Sequence, residues 1–128
     1  MSRLVLDSGG VSALAGRTRE AAARIRALQA EGLWSPVVPS IVLVECLHGD
    51  GARDALVHRL LKACDVREHL PETLARRAAE LRRRARKGSA VDAIVVAVAE
   101  PGGSALTSDP DDLEALASHA TDVTIHTA

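Results

Sequence analysis

The sequence predicts an α/β fold, a three-layer α/β/α sandwich with a central, mostly parallel sheet of four to five strands. Three observations carry this. Short segments at 4–6, 35–38, 64–67, 105–107 and 123–126 read as strands, the first an apolar run and the third a weak pattern. Between them lie stretches with apolar residues at helical spacing. Those stretches are long enough for the crossovers that parallel strands need, which are right-handed. No repeat, linker or low-complexity segment interrupts the pattern, so residues 1–128 are expected to form one domain. At that length folding buries roughly 65–70% of the unfolded chain's surface.

Taken in order, Leu4, Val5 and Leu6 form a buried strand that stops at Asp7, and Ser8, Gly9 and Gly10 read as a turn. Ala22, Ile25 and Leu28 mark one face of a helix over 18–30, with Gly32 as its stop. After the second strand, Pro39 and Ser40 supply a break and a cap before the apolar run 41–47. Its period is ambiguous, and it is read as helix because a cap precedes it and Gly49 follows. A helix over 52–63 leads to the third strand. A long helix over 71–87 follows, with Pro71 in the tolerated first turn and Gly88 at its end. Ser89 and Asp92 have capping-box spacing at the head of an apolar helix that Pro101, Gly102 and Gly103 close. Asp109 followed by Pro110 opens the last helix.

Composition narrows the function classes. Phe and Tyr are absent and Trp34 stands alone, so the core is aliphatic and single-strand readout by base stacking has almost no residues to use. The formal net charge of -1 excludes a uniformly basic, histone-like surface. Cys46 and Cys64 lack zinc-ligand spacing and read as reduced thiols. No secretory progression or apolar run of bilayer length is present, so a soluble cytoplasmic chain without membrane contact is expected. The five histidines show no ligand spacing, no serine lies in a G-x-S-x-G setting, and no Gly-rich loop with Lys is present.

The chemistry concentrates in acids. In an open parallel sheet, ligands bind beyond the carboxyl ends of the strands. Asp7 and Asp109 directly follow strands there, and Asp92 lies at a helix N-terminus that can share the edge. Glu45 interrupts an apolar run with no Lys or Arg close by, so a buried, unpaired carboxylate is expected, one that requires a cation. All-oxygen donors suit Mg²⁺ or Mn²⁺, and Mg²⁺ in turn suits phosphate chemistry. Each acid also has a plainer reading. Asp109 can be a helix cap, Asp92 can serve the helix dipole, Asp7 can form an Asx-turn with Ser8, Gly9 and Gly10, and Glu45 can lie exposed on an edge. The long helix carries Arg76, Arg77, Arg82, Arg83, Arg84, Arg86 and Lys87. This stripe reads either as an RNA-backbone contact, with Arg82, Arg83 and Arg86 as candidates, or as a solvated face paired with Glu72 and Glu80.

The order of these acids resembles the PIN-domain ribonucleases, especially VapC-type toxins of type II toxin-antitoxin systems. The carrying segments are Leu4 to Ser8, Val44 with Glu45, Asp92 to Ile94 in an apolar helix, and Thr107 to Leu113. The resemblance implies a PIN-like sandwich in which Asp7, Glu45, Asp92 and Asp109 are the catalytic and metal-site acids. It makes Asp112 an accessory ligand and Ser8 a supporting hydroxyl. It further implies Mg²⁺ or Mn²⁺, a homodimer, a cognate antitoxin, and cleavage of structured RNA such as tRNA or rRNA. The chain departs from the commonest pattern at Gly9 and Gly10, where bulkier residues are frequent. The expected function is a metal-dependent endoribonuclease toxin; the alternative is a catalytically silent PIN-like module that binds RNA or an antitoxin.

Overall fold

The computed structural model describes residues 3–128. Its sheet has five strands, β1 (Leu4–Leu6), β2 (Val37–Pro39), β3 (Asp65–Arg67), β4 (Ser104–Thr107) and β5 (Thr124–Thr127), in the order β3-β2-β1-β4-β5. Every pairing is parallel. The chain winds outward from β1 through β2 to β3, then returns to place β4 on the other side of β1. A crevice therefore opens at the carboxyl ends of β1 and β4, where the connections diverge.

The helices are α1 (Ser8–Ala15), α2 (Arg19–Ala30), α3 (Leu43–Cys46), α4 (Ala55–Leu61), α5 (Glu72–Ala85), α6 (Ala90–Ala99) and α7 (Pro110–Ala117). α1 packs on α2, α3 and α4, whereas α5, α6 and α7 pack on one another, which gives the two outer layers of the sandwich. α6 crosses β1, β2 and β4 and buries Ala93 and all of residues 95–99. Together with Leu4, Val5, Leu6, Leu81, Leu113 and Leu116 it makes an aliphatic core, as the composition requires. No helix among the described residues is long and apolar enough to cross a membrane.

Three local readings are corrected. Residues 8–10 begin helix α1 instead of forming a turn. Glycine lowers helix propensity, yet a methyl group on Gly10 would strike the Leu106 carbonyl, so the close crossing of α1 over β4 selects glycine there. The run 41–47 is a 3-10 turn (Ser40–Val42) followed by the single helical turn of α3, and Leu47 is already extended. The helix expected over 52–63 covers only Ala55–Leu61, because residues 50–54 form a tight turn.

That turn is held by a residue that no motif or spacing singles out. Asp54 is 2% exposed, and its carboxylate accepts from the backbone N–H groups of His48 at 2.9 and 3.0 Å and of Gly49 at 2.9 Å. On the opposite layer, Arg77 donates to both oxygens of Glu100 at 2.8 Å, and Glu100 also accepts from Thr121 N at 2.7 Å. This clip ties α5 to the end of α6 and to the approach to β5.

Candidate metal and phosphodiesterase site

Asp7 caps α1. Its backbone is extended, and Oδ1 accepts from Gly10 N at 2.7 Å. The sheet register sets Leu6 against Leu106, so Asp7 and Thr107 emerge side by side at the carboxyl edge, both buried. Burial raises the Asp7 pKa above the ordinary carboxylate value, and the nearby Asp92 raises it further. Hydrogen bonds with the Thr107 hydroxyl and with the Gly10 and Gly9 amides pull the other way without restoring it.

Asp92 forms the capping box that its spacing predicts. Asp92 N donates to Ser89 Oγ at 3.1 Å, and Asp92 Oδ2 accepts from Ser89 N at 3.0 Å. Capping and proximity to Asp7 are therefore compatible roles for one side chain, since a single oxygen serves the cap.

The other acids stand differently. Asp109 holds the N-cap position of α7, but its side chain makes no capping bond, contrary to the reading as a side-chain cap. Its backbone N–H donates instead to Thr107 Oγ1 at 3.1 Å, which leaves the carboxylate exposed and uncommitted. Glu45 is exposed, which overturns the expectation of a buried, unpaired charge. The apolar residues around it misled because Val44 is 75% and Ile41 38% exposed, so the run is surface as well as core. Asp112 faces Lys87 at 3.8 Å. The Ser8 hydroxyl makes no hydrogen bond to an acid among the described residues. The hydroxyl that the sheet register sets beside Asp7 is that of Thr107, to which the motif assigns no role; it accepts from Asp109 N at 3.1 Å and donates to the Asp109 carbonyl at 3.2 Å. Its signal was a polar residue closing an apolar strand.

The structure thus brings Asp7, Asp92, Thr107 and the Asp109 backbone to one edge. Among the described residues no three His, Cys, Asp or Glu side chains converge closely enough to enclose an ion by themselves. Mg²⁺ does not need such an enclosure, because it keeps several waters and uses one or two carboxylates together with substrate phosphate. Two neighbouring carboxylates, one of them buried and pushed toward protonation, fit that demand.

The basic helix divides into paired and unpaired members. Arg76 pairs with Glu72 at 2.7 Å, Arg84 with Glu80 at 3.0 Å, and Arg77 with Glu100. Arg82, Arg83 and Arg86 are exposed and have no carboxylate partner among the described residues; Arg82 donates to the Gly88 carbonyl at 3.3 Å. Both thiols are free. Burial raises the Cys46 pKa and pushes that of Cys64 up to about 11, so neither is poised as a nucleophile.

The PIN domain profile matches residues 4–118. The chain belongs to the PIN-domain family. This PIN domain is similar in structure to FitAcB from Neisseria gonorrhoeae, with a TM-score of 0.65 and 19% identity over 97% of this chain and 96% of that one. It is also similar to PAE2754 from Pyrobaculum aerophilum, with a TM-score of 0.61 and 17% identity over 97% and 83% of the two chains. FitAB bound to an IR36 DNA fragment matches with a TM-score of 0.63 and 18% identity over 97% and 94%. At these identities the likeness is one of fold. No curated protein matches the chain.

Proposed function

We propose that this PIN domain is a metal-dependent endoribonuclease, the toxin of a VapC-type toxin-antitoxin pair, acting in the cytoplasm on structured RNA such as tRNA or rRNA. The observation that carries the reading is the buried Asp7 carboxylate beside Asp92, two like charges that a divalent cation would reconcile. Asp7 and Asp92 would hold Mg²⁺ or Mn²⁺, with Asp109, Glu45 and Asp112 completing the donor set through waters or directly. When bound, the ion supplies charge to offset that gathering on the phosphate and makes water a better nucleophile. The Thr107 hydroxyl, beside Asp7 at the sheet edge, holds the Asp109 backbone by bonds at 3.1 and 3.2 Å. Arg82, Arg83 and Arg86, free of carboxylate partners, would hold the RNA backbone on the layer that also carries Asp92. Hydrolysis would leave a 5′-phosphate and a 3′-hydroxyl.

Uncovered apolar surface supports protein partners, a second copy and a cognate antitoxin. Ile41 and Leu70 are exposed at the mouth of a cleft of about 220 Å³ that also involves Leu74, Ile94 and Val98. On the other layer, a groove of about 430 Å³ runs past Ile25, Trp34 and Leu56.

The test pairs calorimetry with cleavage. Wild-type protein should bind Mn²⁺ saturably and cut structured RNA, with activity lost in chelator and in Asp92→Asn. A folded wild-type protein with no saturable site would leave a binding module in place of an enzyme.

A further inference from the structure

α1 and the β4–α7 connection meet at one unusually close point. A methyl group placed on Gly9 would lie 2.8 Å from the backbone nitrogen of Ser108 and 3.1 Å from its Cβ, with the Ser108 hydroxyl nearer still. A clash with a flexible side chain could be relieved by rotation, but a clash with a backbone nitrogen moves the backbone. The residues on either side of Ser108 are Thr107, which the sheet register sets beside Asp7, and Asp109, whose N–H donates to the Thr107 hydroxyl at 3.1 Å. Any displacement of Ser108 is thereby passed to both.

We propose that Gly9 is a positioning residue, whose missing side chain sets how closely the segment carrying Asp109 approaches Asp7 and so sets the span across which a divalent cation is held. The proposal rests on the metal-site reading above. Gly10 differs from Gly9 in kind. Its absent side chain makes room for a strand carbonyl, that of Leu106, so its substitution disturbs the sheet itself. Gly9 meets only the connection, which can shift without unpairing β4. Functional donors tolerate displacements of only about 0.5 Å, so a shift that the fold absorbs is one the site registers.

The experiment titrates Mn²⁺, Mg²⁺ and Ca²⁺ by calorimetry into the full chain as wild type, Gly9→Ala and Gly9→Ala/Ser108→Gly. Gly9→Ala should weaken Mn²⁺ binding about tenfold, the lower end of what misplaced supporting groups cost a metal site. Mg²⁺, which demands near-octahedral geometry, should lose more affinity than the more tolerant Ca²⁺, a change of selectivity that a merely structural role would not produce. The metal-free melting temperature should stay near the wild-type value, because Ala favours helix α1 more than Gly does. The double variant, relieved of the side-chain part of the clash, should recover part of the affinity, and it serves as the test if Gly9→Ala alone does not fold. Folded Gly9→Ala that binds all three ions as wild type does would overturn the positioning role while leaving the metal site standing. Wild-type protein without a saturable site would remove the metal reading, and this one with it.

Discussion

Asp7 and Asp54 are both aspartates, both almost fully buried at 8% and 2% exposure, and neither is paired with a Lys or Arg among the described residues. Their pKa values nevertheless move in opposite directions. For Asp54, burial pushes upward, but the amides of His48, Gly49 and Asp50 outweigh it and hold the carboxyl below its usual value. For Asp7, burial wins over the Thr107, Gly10 and Gly9 hydrogen bonds, and Asp92 adds to it. The surroundings of Asp54 satisfy its charge, whereas those of Asp7 leave its charge disfavoured, an imbalance that a cation would offset on the reading proposed above. Burial of a charge is therefore not what marks a functional carboxylate; the sign of its imbalance is.

The largest effect expected to break this comparison is on cleavage. Asp7→Asn should abolish RNA hydrolysis while leaving the metal-free melting temperature equal to or above that of the wild type, since it removes a disfavoured charge. A melting temperature well below wild type would make Asp7 structural, like Asp54. Next, Asp54→Asn should lower the melting temperature, because it replaces charge-assisted bonds from His48 and Gly49 by weaker neutral ones and sets an NH₂ donor against the His48 N–H that now also bonds Oδ1. Its residual folded fraction should still cleave RNA and bind Mn²⁺.

Metal sharpens the contrast. Mn²⁺ at a hundredfold excess over its dissociation constant should stabilise the wild type by about 2.7 kcal/mol. The same increment should appear in Asp54→Asn and vanish in Asp7→Asn, as thermal melts would show.

The smallest effect is the pH dependence, where the two residues have opposite signs. Asp54 has a depressed folded pKa, so its contribution is fully present above the ordinary 3.8 and is lost as pH falls from there through the folded value. Asp7 has a raised folded pKa, so its ionisation costs stability above that value, and the cost disappears as pH falls through it toward 3.8. Denaturant titrations should thus show Asp7→Asn losing its advantage over wild type at a higher pH than that at which Asp54→Asn loses its disadvantage. The reverse order would contradict both assignments.

The same pair shows what the sequence could reveal. Strands β1, β2 and β4 were legible because fully buried parallel strands are largely apolar runs, whereas β3 and β5, half exposed at the two edges, carry a weaker pattern. Asp7 was legible as the stop of β1, and Asp92 through the spacing of its capping box. Asp54 was not, because the apolar spacing places it in the first turn of a helix over 52–63, and only the folded turn aims the amides of His48 and Gly49 at it. Glu45 shows the opposite error. Apolar neighbours were taken to mean burial, but one helical turn presents residues to every side, and the surface there is apolar. α1 was hidden for a third reason, since the glycines that reduce its intrinsic propensity are required by a crossing that only tertiary structure defines.

The register that sets Leu6 beside Leu106 also has a consequence in time. Asp7 is made well before Thr107 and the segment bearing Asp109. Strand β1 must wait for most of the chain before its neighbour β4 exists, and such non-local pairings form late. A nascent chain still lacking β4 holds no assembled site. On the reading proposed above, RNA cleavage would begin only once β4 has been made and paired with β1.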